Sequence, residues 1–236
     1  GLGIPAEPLF RSSLFYYVLL LTAICIAFFF SALATEQFTT PFGGDYSQQG
    51  YAFYFNAYDD WWTFFKTGKF PLYDSNTYLG ADNIQANTFY GLFTPFLLFL
   101  LIFPRSFLPH AMVLMSIARL VCGALLFRLY LKKMGAEEAT ARLFAIAYAF
   151  MGWTTYYLWF ATFLDVIAFF PLILLGIEQI IRDKKCWIVA IGFFCIGVGN
   201  YFFLLTFGIF GIIYAGFRFF QTFKERKPID HLKVIG

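Results

Sequence analysis

A short polar run near the start of the chain holds the residues best suited to chemistry. Residues 43–49 read Gly-Gly-Asp-Tyr-Ser-Gln-Gln, so that two glycines precede Asp45 and the amides of Gln48 and Gln49 follow it. Glycines free the backbone to form a tight turn that presents the carboxylate. There it could act as a general base or bind a cation, and the plainer interpretation is a solvated loop acid.

Two charged residues lie inside apolar stretches, where a charge needs a partner. Arg119 falls near the middle of the stretch 109–131, and Asp165 falls within the later stretch 141–181. Because an arginine at the bilayer centre costs about 2.5–3.5 kcal/mol on insertion scales, Arg119 should face other helices. Two interpretations stay open: Arg119 contacts an anion such as phosphate, or it pairs with a carboxylate such as that of Asp165.

Other polar residues flank the apolar stretches. Arg105 and His110 lie beside the start of the stretch 109–131, where either could hold a lipid phosphate or serve as an interfacial anchor. Asn200 separates two apolar segments and could simply cap or turn the chain.

The remaining acids invite structural interpretations. Asp59 and Asp60 are adjacent, so on a helix they diverge by about 100° and cannot face one site. We expect one of them to be solvated and the other to be paired. Glu178 is expected to pair with Arg182, four residues further along the chain.

The composition indicates which solvent these residues meet. Of 236 residues, 60% are apolar and 13% are charged, about half the charged share of a soluble domain. Such a chain belongs in a lipid bilayer. A net charge of +3 gives no support for a nucleic-acid partner. The four cysteines lack Cys-x-x-Cys spacing, and two histidines are too few for a multi-histidine metal site.

The charge distribution predicts how the chain crosses the membrane. Basic residues cluster at 128–142, 182–185 and 218–233, whereas the polar stretch 35–88 carries six acids and two lysines. By the positive-inside rule the basic clusters are cytoplasmic and the polar stretch faces outward. Each apolar stretch between two basic clusters must therefore cross twice, with turns near 159–162 and 199–201. We predict six spans with both ends inside: 12–34, 108–131, 141–158, 163–181, 186–200 and 201–219.

The predicted fold class is therefore all-α, a polytopic integral membrane helical bundle with a long outer first loop at 35–107. Aromatic residues at helical spacing between 51 and 66 predict an amphipathic helix in the membrane interface. The stretch 71–88, with its glycine, asparagines and aspartates, predicts an irregular loop. The stretch 91–103 is short and carries Pro95, so we predict a re-entrant or interfacial helix there.

Five segments of the chain form a recognisable series: Gly44-Asp45-Tyr46-Ser47-Gln48-Gln49, Phe89 through Leu97, Tyr148 through Gly152, Asp165 through Glu178 and Asn200 through Phe203. Taken in order, they resemble YfhO-type bacterial membrane proteins over nearly the whole chain. Such proteins resemble the GT-C superfamily of integral-membrane glycosyltransferases, which implies a GT-C-like bundle. Family members are usually longer, so the chain is expected to be the N-terminal portion of a longer protein.

The resemblance implies a function in the bacterial plasma membrane, with an active site that faces outward. A sugar would pass from a polyprenyl-phosphate donor to a cell-wall polymer or glycolipid acceptor, such as teichoic acid. Asp45 matches the catalytic acid of the first outer loop, and as the only base it would invert the anomeric centre. A divalent cation (Mg or Mn) bridging Asp45 and phosphate fits this scheme, although no second ligand is evident in the sequence. The substrate-binding candidates are Gln48, Gln49, Lys66, Lys69, Arg105, His110, Arg119, Asp165 and Asn200.

Two other functional classes stay open. A transporter or flippase of lipid-linked sugars would need charges along a midplane path and often shows internal repeats. Only Arg119 is clearly mid-membrane in the sequence, and no repeat is visible. A non-catalytic membrane subunit that assembles with another enzyme is the third class.

Overall fold

The computed structural model describes residues 14–35, 49–75 and 79–225, and most of these residues are helical. A small antiparallel hairpin, β1 (Tyr73–Asp74) with β2 (Ala81–Asp82), interrupts the helices. The helices are α1 (Leu14–Thr35), α2 (Tyr51–Thr67), α3 (Asn83–Asn87), α4 (Leu97–Leu100), α5 (Leu108–Lys133), α6 (Glu138–Ala149), α7 (Gly152–Tyr156), α8 (Leu164–Asp183), α9 (Trp187–Gly199) and α10 (Tyr201–Glu225).

Three helical segments of the described chain are long and apolar enough to cross a membrane. They are Arg105–Lys133, Ala161–Asp183 and Tyr201–Phe223, and Leu14–Phe30 and Trp187–Gly199 are shorter apolar helices. A helix suits hydrocarbon because it pairs its backbone polar groups internally. The mostly helical membrane architecture agrees with the predicted class, while the count of six crossings stays a prediction.

One end of the bundle collects the basic loops, and we call it the basic end. There α5 meets α6, where Arg128 donates to Glu138 over 2.8 Å. Lys133 at the end of α5 pairs with Asp183 at the end of α8 over 2.5 Å. The hydroxyl of Tyr17 in α1 donates to a carbonyl near the start of α6 at 2.8 Å. These contacts place the start of α1 and the ends of α5 and α8 together.

The opposite end, which we call the loop end, carries the segment 49–107. Asn200, between α9 and α10, donates its side-chain amide to the Phe89 carbonyl over 3.4 Å. Two 3-10 turns, Tyr157–Trp159 and Ala161–Phe163, bring the chain back into α8 at the same end. Consecutive long helices therefore run in opposite directions.

The helix α8 lies at the centre of this bundle. In its apolar window 72% of the residues are buried, against 17% for α10. Close helix crossings explain part of this burial. A Cβ on Gly123 of α5 would lie 2.6 Å from the Ile167 carbonyl oxygen, and one on Gly176 of α8 would overlap the Val189 backbone. Glycine permits both approaches because it has no side chain.

At the loop end, α2 packs over α4 and the start of α5. Tyr54, Ala57 and Tyr58 are the buried residues of α2. Tyr58 donates its hydroxyl to the Phe103 carbonyl at 2.8 Å, which ties the helix to the chain just before α5. The helix ends at Gly68, whose φ of 70° closes the last turn. The predicted helix at 51–66 is confirmed, while its position in the membrane interface stays a prediction.

Three local expectations differ from the structure. The stretch 71–88 is not wholly irregular, because it holds β1, β2 and α3, and the Asp82 carboxylate caps α3 by accepting from the Gln85 amide at 2.8 Å. The stretch 91–103 forms only the single turn α4, since Pro95 lacks an amide donor and Gly91 has a φ of 86°. The predicted span 141–158 is two helices, α6 and α7, which break near Phe150.

Two turns inferred from charge parity agree with the structure. The turn near 199–201 is confirmed, because α9 ends at Gly199 and α10 begins at Tyr201. The expected turn near 159–162 is the pair of 3-10 turns on either side of Phe160. The helix α10 extends to Glu225, six residues beyond the predicted end at 219.

Candidate functional site

The predicted catalytic residue lies outside the described part of the chain. Asp45 and Gln48 belong to residues 36–48, and Gln49 begins the described segment that leads into α2. The roles of these three residues, and a divalent cation at Asp45, therefore stay predictions. Within the described residues, no group of three or more histidine, cysteine, aspartate or glutamate side chains could hold a metal ion.

A buried ion pair joins α5 to α8 near the loop end. Arg119 Nε donates to Asp165 Oδ1 over 2.5 Å, and the two side chains are 0% and 1% exposed. Asp165 lies in the first turn of α8, where the helix dipole stabilises a negative charge. The pair predicted as one of the two interpretations of Arg119 is present.

The same arginine also holds α2 to the bundle. Arg119 Nη2 donates to the Tyr54 hydroxyl over 3.0 Å. The guanidinium carbon lies 5.3 Å from the centre of the Phe96 ring and 5.8 Å from that of Tyr54. A cation at this distance from an aromatic face is attracted to it. Arg119 therefore links a helix of the bundle core with the helix that covers the loop end.

Further polar residues lie close to this pair, as the atoms around two glycines show. A Cβ on Gly91 would lie 3.4 Å from both Thr94 and Thr162 and 3.6 Å from the Tyr54 hydroxyl. A Cβ on Gly199, next to Asn200, would lie 2.8 Å from Asp165 Oδ2. The residues that these contacts connect form what we call the loop-end cluster: Tyr54, Thr94, Arg119, Thr162, Asp165 and Asn200.

Four members of the loop-end cluster carry a buried polar atom that makes no hydrogen bond of normal geometry to any described residue. These atoms are Arg119 Nη1, Thr162 Oγ1, Asp165 Oδ2 and Asn200 Oδ1. The Thr94 side chain does lie beside the Asp165 carboxylate. Each unpaired buried group costs about 1–3 kcal/mol, and a bound ligand that paired these four atoms would offset that cost.

Aromatic rings gather around Phe89, whose carbonyl accepts from Asn200 of the loop-end cluster. Tyr201 and Phe202, which open α10, are 54% and 59% exposed. Exposed aromatic faces next to buried polar atoms are typical of ligand sites. The rings within 6.4 Å of Phe89, measured between centroids, are Tyr90, Phe160, Phe163, Tyr201 and Phe202.

The structure brings together three of the predicted substrate-binding residues, Arg119, Asp165 and Asn200. The others have their contacts within the loop segment. Arg105 donates to Asp59 at 2.9 Å, Lys66 lies 5.9 Å from the Trp62 ring centre, and His110 stacks on Phe107 at 5.0 Å. Lys69 is exposed just after α2. These four residues keep their predicted roles as untested proposals.

The adjacent acids of α2 point to different partners, as their helical offset predicts. Asp59 pairs with Arg105, and Asp60 Oδ2 accepts from the Asn83 side-chain amide over 2.7 Å. Asp59 is the solvated acid, since its side chain is 45% exposed although it pairs with Arg105, and Asp60 is the acid held by a hydrogen bond in the fold. Burial raises the pKa of Asp60, and the nearby acids Asp74 and Asp59 raise it further against the hydrogen bond from Asn83.

A second cluster surrounds the buried Glu178 toward the basic end, and we call it the basic-end cluster: Tyr130, Glu178, Arg182, Tyr214 and Arg218. Arg218 donates to both Glu178 oxygens, at 2.6 and 3.0 Å. Tyr214 donates to Oε1 at 2.9 Å and Arg182 to Oε2 at 3.3 Å. The predicted pair of Glu178 with Arg182 is present, and its two stronger partners on α10 were not predicted.

Sequence reasoning also missed three members of the loop-end cluster. Tyr54 is one of many aromatic residues in α2, and Thr94 and Thr162 are small polar residues in irregular segments. The signal that could have found Thr94 is its place between Gly91 and Pro95, where regular helix is disfavoured. Nothing local indicates that 54, 94 and 162 meet.

The fold and the cluster together define an integral helical membrane protein with a buried polar centre at one end. The family model described as bacterial membrane protein YfhO matches residues 17–235. The chain belongs to this family, as the resemblance of its segments predicted. Neither a curated protein nor a solved structure is significantly similar to the chain.

Proposed function

We propose that the protein is a membrane glycosyltransferase that moves a sugar from a polyprenyl-phosphate donor to a cell-wall polymer or glycolipid acceptor. The observation that carries this proposal is the loop-end cluster, which combines a buried guanidinium with unpaired polar atoms in an otherwise apolar bundle. A ligand that carries both charge and hydroxyl groups would meet these needs. Membership of a membrane protein family supports the same location for the reaction.

The reaction needs a base and an anion contact. The acceptor hydroxyl attacks the anomeric carbon, its proton passes to the Asp45 carboxylate, and the bond from that carbon to the phosphate oxygen breaks. The polyprenyl phosphate leaves with the electron pair of that bond, and a guanidinium stabilises the charge that develops. Attack opposite the leaving group inverts the anomeric centre.

The charge distribution supports an outward-facing site in the plasma membrane. Basic residues gather in the loops of the basic end, including Arg128, Lys133 and Arg182. Because such loops stay in the cytoplasm, the loop end would face outward. An acceptor in the cell wall would then reach the site without crossing the membrane.

Replacement of Asp45 by asparagine tests the proposed function. In membranes that contain equal amounts of protein, Asp45→Asn should abolish transfer of radiolabelled sugar from polyprenyl phosphate. Asp82→Asn is the matched control, because Asp82 caps α3 at the exposed end of the same loop and should leave transfer intact. Full activity of the Asp45 variant would refute the assignment. Flux of lipid-linked sugar across vesicles without transfer would favour a flippase instead.

A further inference from the structure

We infer that the loop-end cluster binds the sugar ring of the donor and not only its phosphate. Asp165 Oδ2 and Asn200 Oδ1 accept hydrogen bonds from sugar hydroxyls, while Arg119 Nη1 donates to a ligand oxygen. This inference rests on the proposed function for the identity of the donor, and it names the part of the donor that the cluster takes.

The hydrogen-bonding capacity of the unpaired atoms points to this ligand. Asp165 Oδ2 and Asn200 Oδ1 are acceptors that receive no hydrogen bond of normal geometry from a described residue, although the Thr94 side chain lies beside the Asp165 carboxylate. Arg119 Nη1 is a donor without such a bond. The Thr162 hydroxyl can either donate or accept a hydrogen bond. The matching ligand therefore both donates and accepts hydrogen bonds.

A simple ion satisfies only part of this arrangement. Phosphate alone would suit Arg119, but it has no donors for the two acceptor oxygens and is repelled by the Asp165 carboxylate. A metal cation would suit the acceptors but is repelled by Arg119, which lies 2.5 Å from the same carboxylate. A ring with several hydroxyls donates to both acceptors and accepts from the arginine, so it satisfies every group.

The orientation of Asn200 agrees with this assignment. Its Nδ2 donates to the Phe89 carbonyl over 3.4 Å, which leaves Oδ1 as the atom without a partner in the described chain. Phe89 lies among exposed rings of the same end, so the polar atoms and the aromatic faces adjoin one another. A sugar ring presents hydroxyls at its edge and apolar C–H groups on its faces, which matches this pairing.

Gly199 of α9 packs directly against the buried Asp165 Oδ2. A Cβ at this position would lie 2.8 Å from Oδ2, closer than real Cβ atoms approach an oxygen. The side chain of Asp165 would then have to shift, and its free oxygen would turn away. Gly197, on the same helix, has only the Leu204 side chain near its Cβ position, at 3.5 Å, which is an ordinary contact.

The test measures binding without an acceptor, so that no transfer is required. The full chain is placed in lipid discs, and dissociation constants are measured for a short polyprenyl phosphate and for the same molecule carrying glucose, galactose or N-acetylglucosamine. At least one sugar should tighten binding about tenfold over the bare phosphate, a gain of about 1.4 kcal/mol. Failure of all three sugars to tighten binding would overturn the inference.

Two variants assign the effect to the cluster. Gly199→Ala and Asn200→Ala should each remove most of the tenfold gain while leaving the constant for the bare phosphate within twofold. Gly197→Ala should behave as the wild type. Thermal unfolding of each variant reports whether it folds, and Asn200→Ala keeps the inference testable if Gly199→Ala does not fold. Equal weakening of both probes would show a phosphate site and contradict the inference.

The outcomes also separate this inference from the proposed function. If the protein binds the sugar-bearing probe through these residues but transfers no sugar, the sugar site stands and the glycosyltransferase assignment fails. If the Gly199 and Asn200 variants both transfer sugar at the wild-type rate, the glycosyltransferase assignment stands and the sugar site fails.

Discussion

The two buried ion pairs of α8 are completed in different ways. Glu178, toward the basic end, accepts from Arg218 with both oxygens and from Tyr214 and Arg182 with one each. Asp165, at the loop end, accepts from Arg119 with Oδ1, and its Oδ2 has no hydrogen bond of normal geometry from any described residue. Both carboxylates are fully buried.

The difference indicates different roles for the same chemistry. A buried pair whose atoms are all satisfied holds neighbouring helices in place, here α8 and α10. In a buried pair with unpaired polar atoms, those atoms stay available to bind a ligand, and leaving them unpaired lowers the stability of the free protein. We therefore interpret the basic-end cluster as a structural clamp and the loop-end cluster as a binding site.

Removal of Glu178 should produce the largest loss of stability. Glu178→Ala leaves the Arg218 charge without its main partner in the bundle, so the free energy of unfolding should fall by about 3–5 kcal/mol. Chemical unfolding in mild detergent measures this loss. Asp183→Ala is the control, because its pair with Lys133 lies at the surface and should matter much less. Equal losses in both variants would contradict the clamp.

Removal of both charges of a pair sharpens the comparison. The doubles Arg119→Met with Asp165→Leu and Glu178→Leu with Arg218→Met should both fold, since apolar replacement of a buried pair is often near neutral. Only the first should lose sugar transfer, by about 100-fold or more, as expected when a charge-stabilising donor is removed. An equal loss of transfer in the second double would place function in both clusters.

The Tyr54 hydroxyl provides a smaller test of the loop end. Tyr54→Phe leaves Arg119 Nη2 without its hydroxyl partner, and loss of a hydrogen bond to a charged group costs about 1.5–3 kcal/mol. Tyr58→Phe should cost less, about 0.5–1.5 kcal/mol, because its hydroxyl bonds a neutral carbonyl. Thermal unfolding compares the two variants, and a greater loss from Tyr58→Phe would argue against a charged link between α2 and the bundle.

The smallest expected effect is a change in stability with pH. Its sign should differ between Glu138 at the basic end and Asp60 at the loop end. Burial raises the pKa of Glu138 at the basic end, but hydrogen bonds from Arg128 and Arg142 outweigh it and leave the pKa below its ordinary value. The stabilisation by Glu138 is therefore complete above the ordinary value of about 4.3 and is lost as the pH falls through the folded value. It amounts to about 0.2–1 kcal/mol, as for exposed pairs.

Asp60 at the loop end has a raised pKa, because of its burial first and then the nearby acids. Its contribution is complete below the ordinary value of about 3.9 and is lost as the pH rises through the folded value. Unfolding midpoints of Glu138→Gln and Asp60→Asn, measured between about pH 3 and 6, should therefore deviate from the wild type with opposite slopes. Slopes of the same sign would refute this assignment.

The features that the sequence could predict are those with a local or charge-based signal. The turn at Asn200 follows from counting crossings between basic clusters, and the helix α2 follows from the spacing of its aromatic residues. The pairing of Arg119 with Asp165 follows from the cost of burying either charge alone.

The features that the sequence could not predict depend on contacts between distant segments. Tyr214 and Arg218 lie 36 and 40 residues beyond Glu178, and nothing near Glu178 indicates that α10 returns to it. The strands β1 and β2 have two residues each, which is too short for an alternating pattern to appear. The loop-end cluster is likewise assembled from five separate parts of the chain.

The two glycine crossings of α8 determine which parts of the molecule can move. Because Gly123 of α5 and Gly176 of α8 let backbones meet without intervening side chains, α5, α8 and α9 cannot slide past one another without separating. The three helices form a fixed frame. An opening that admits a long-chain lipid should therefore involve elements outside this frame, such as α2, the broken segment 150–163 or the sparsely covered α10.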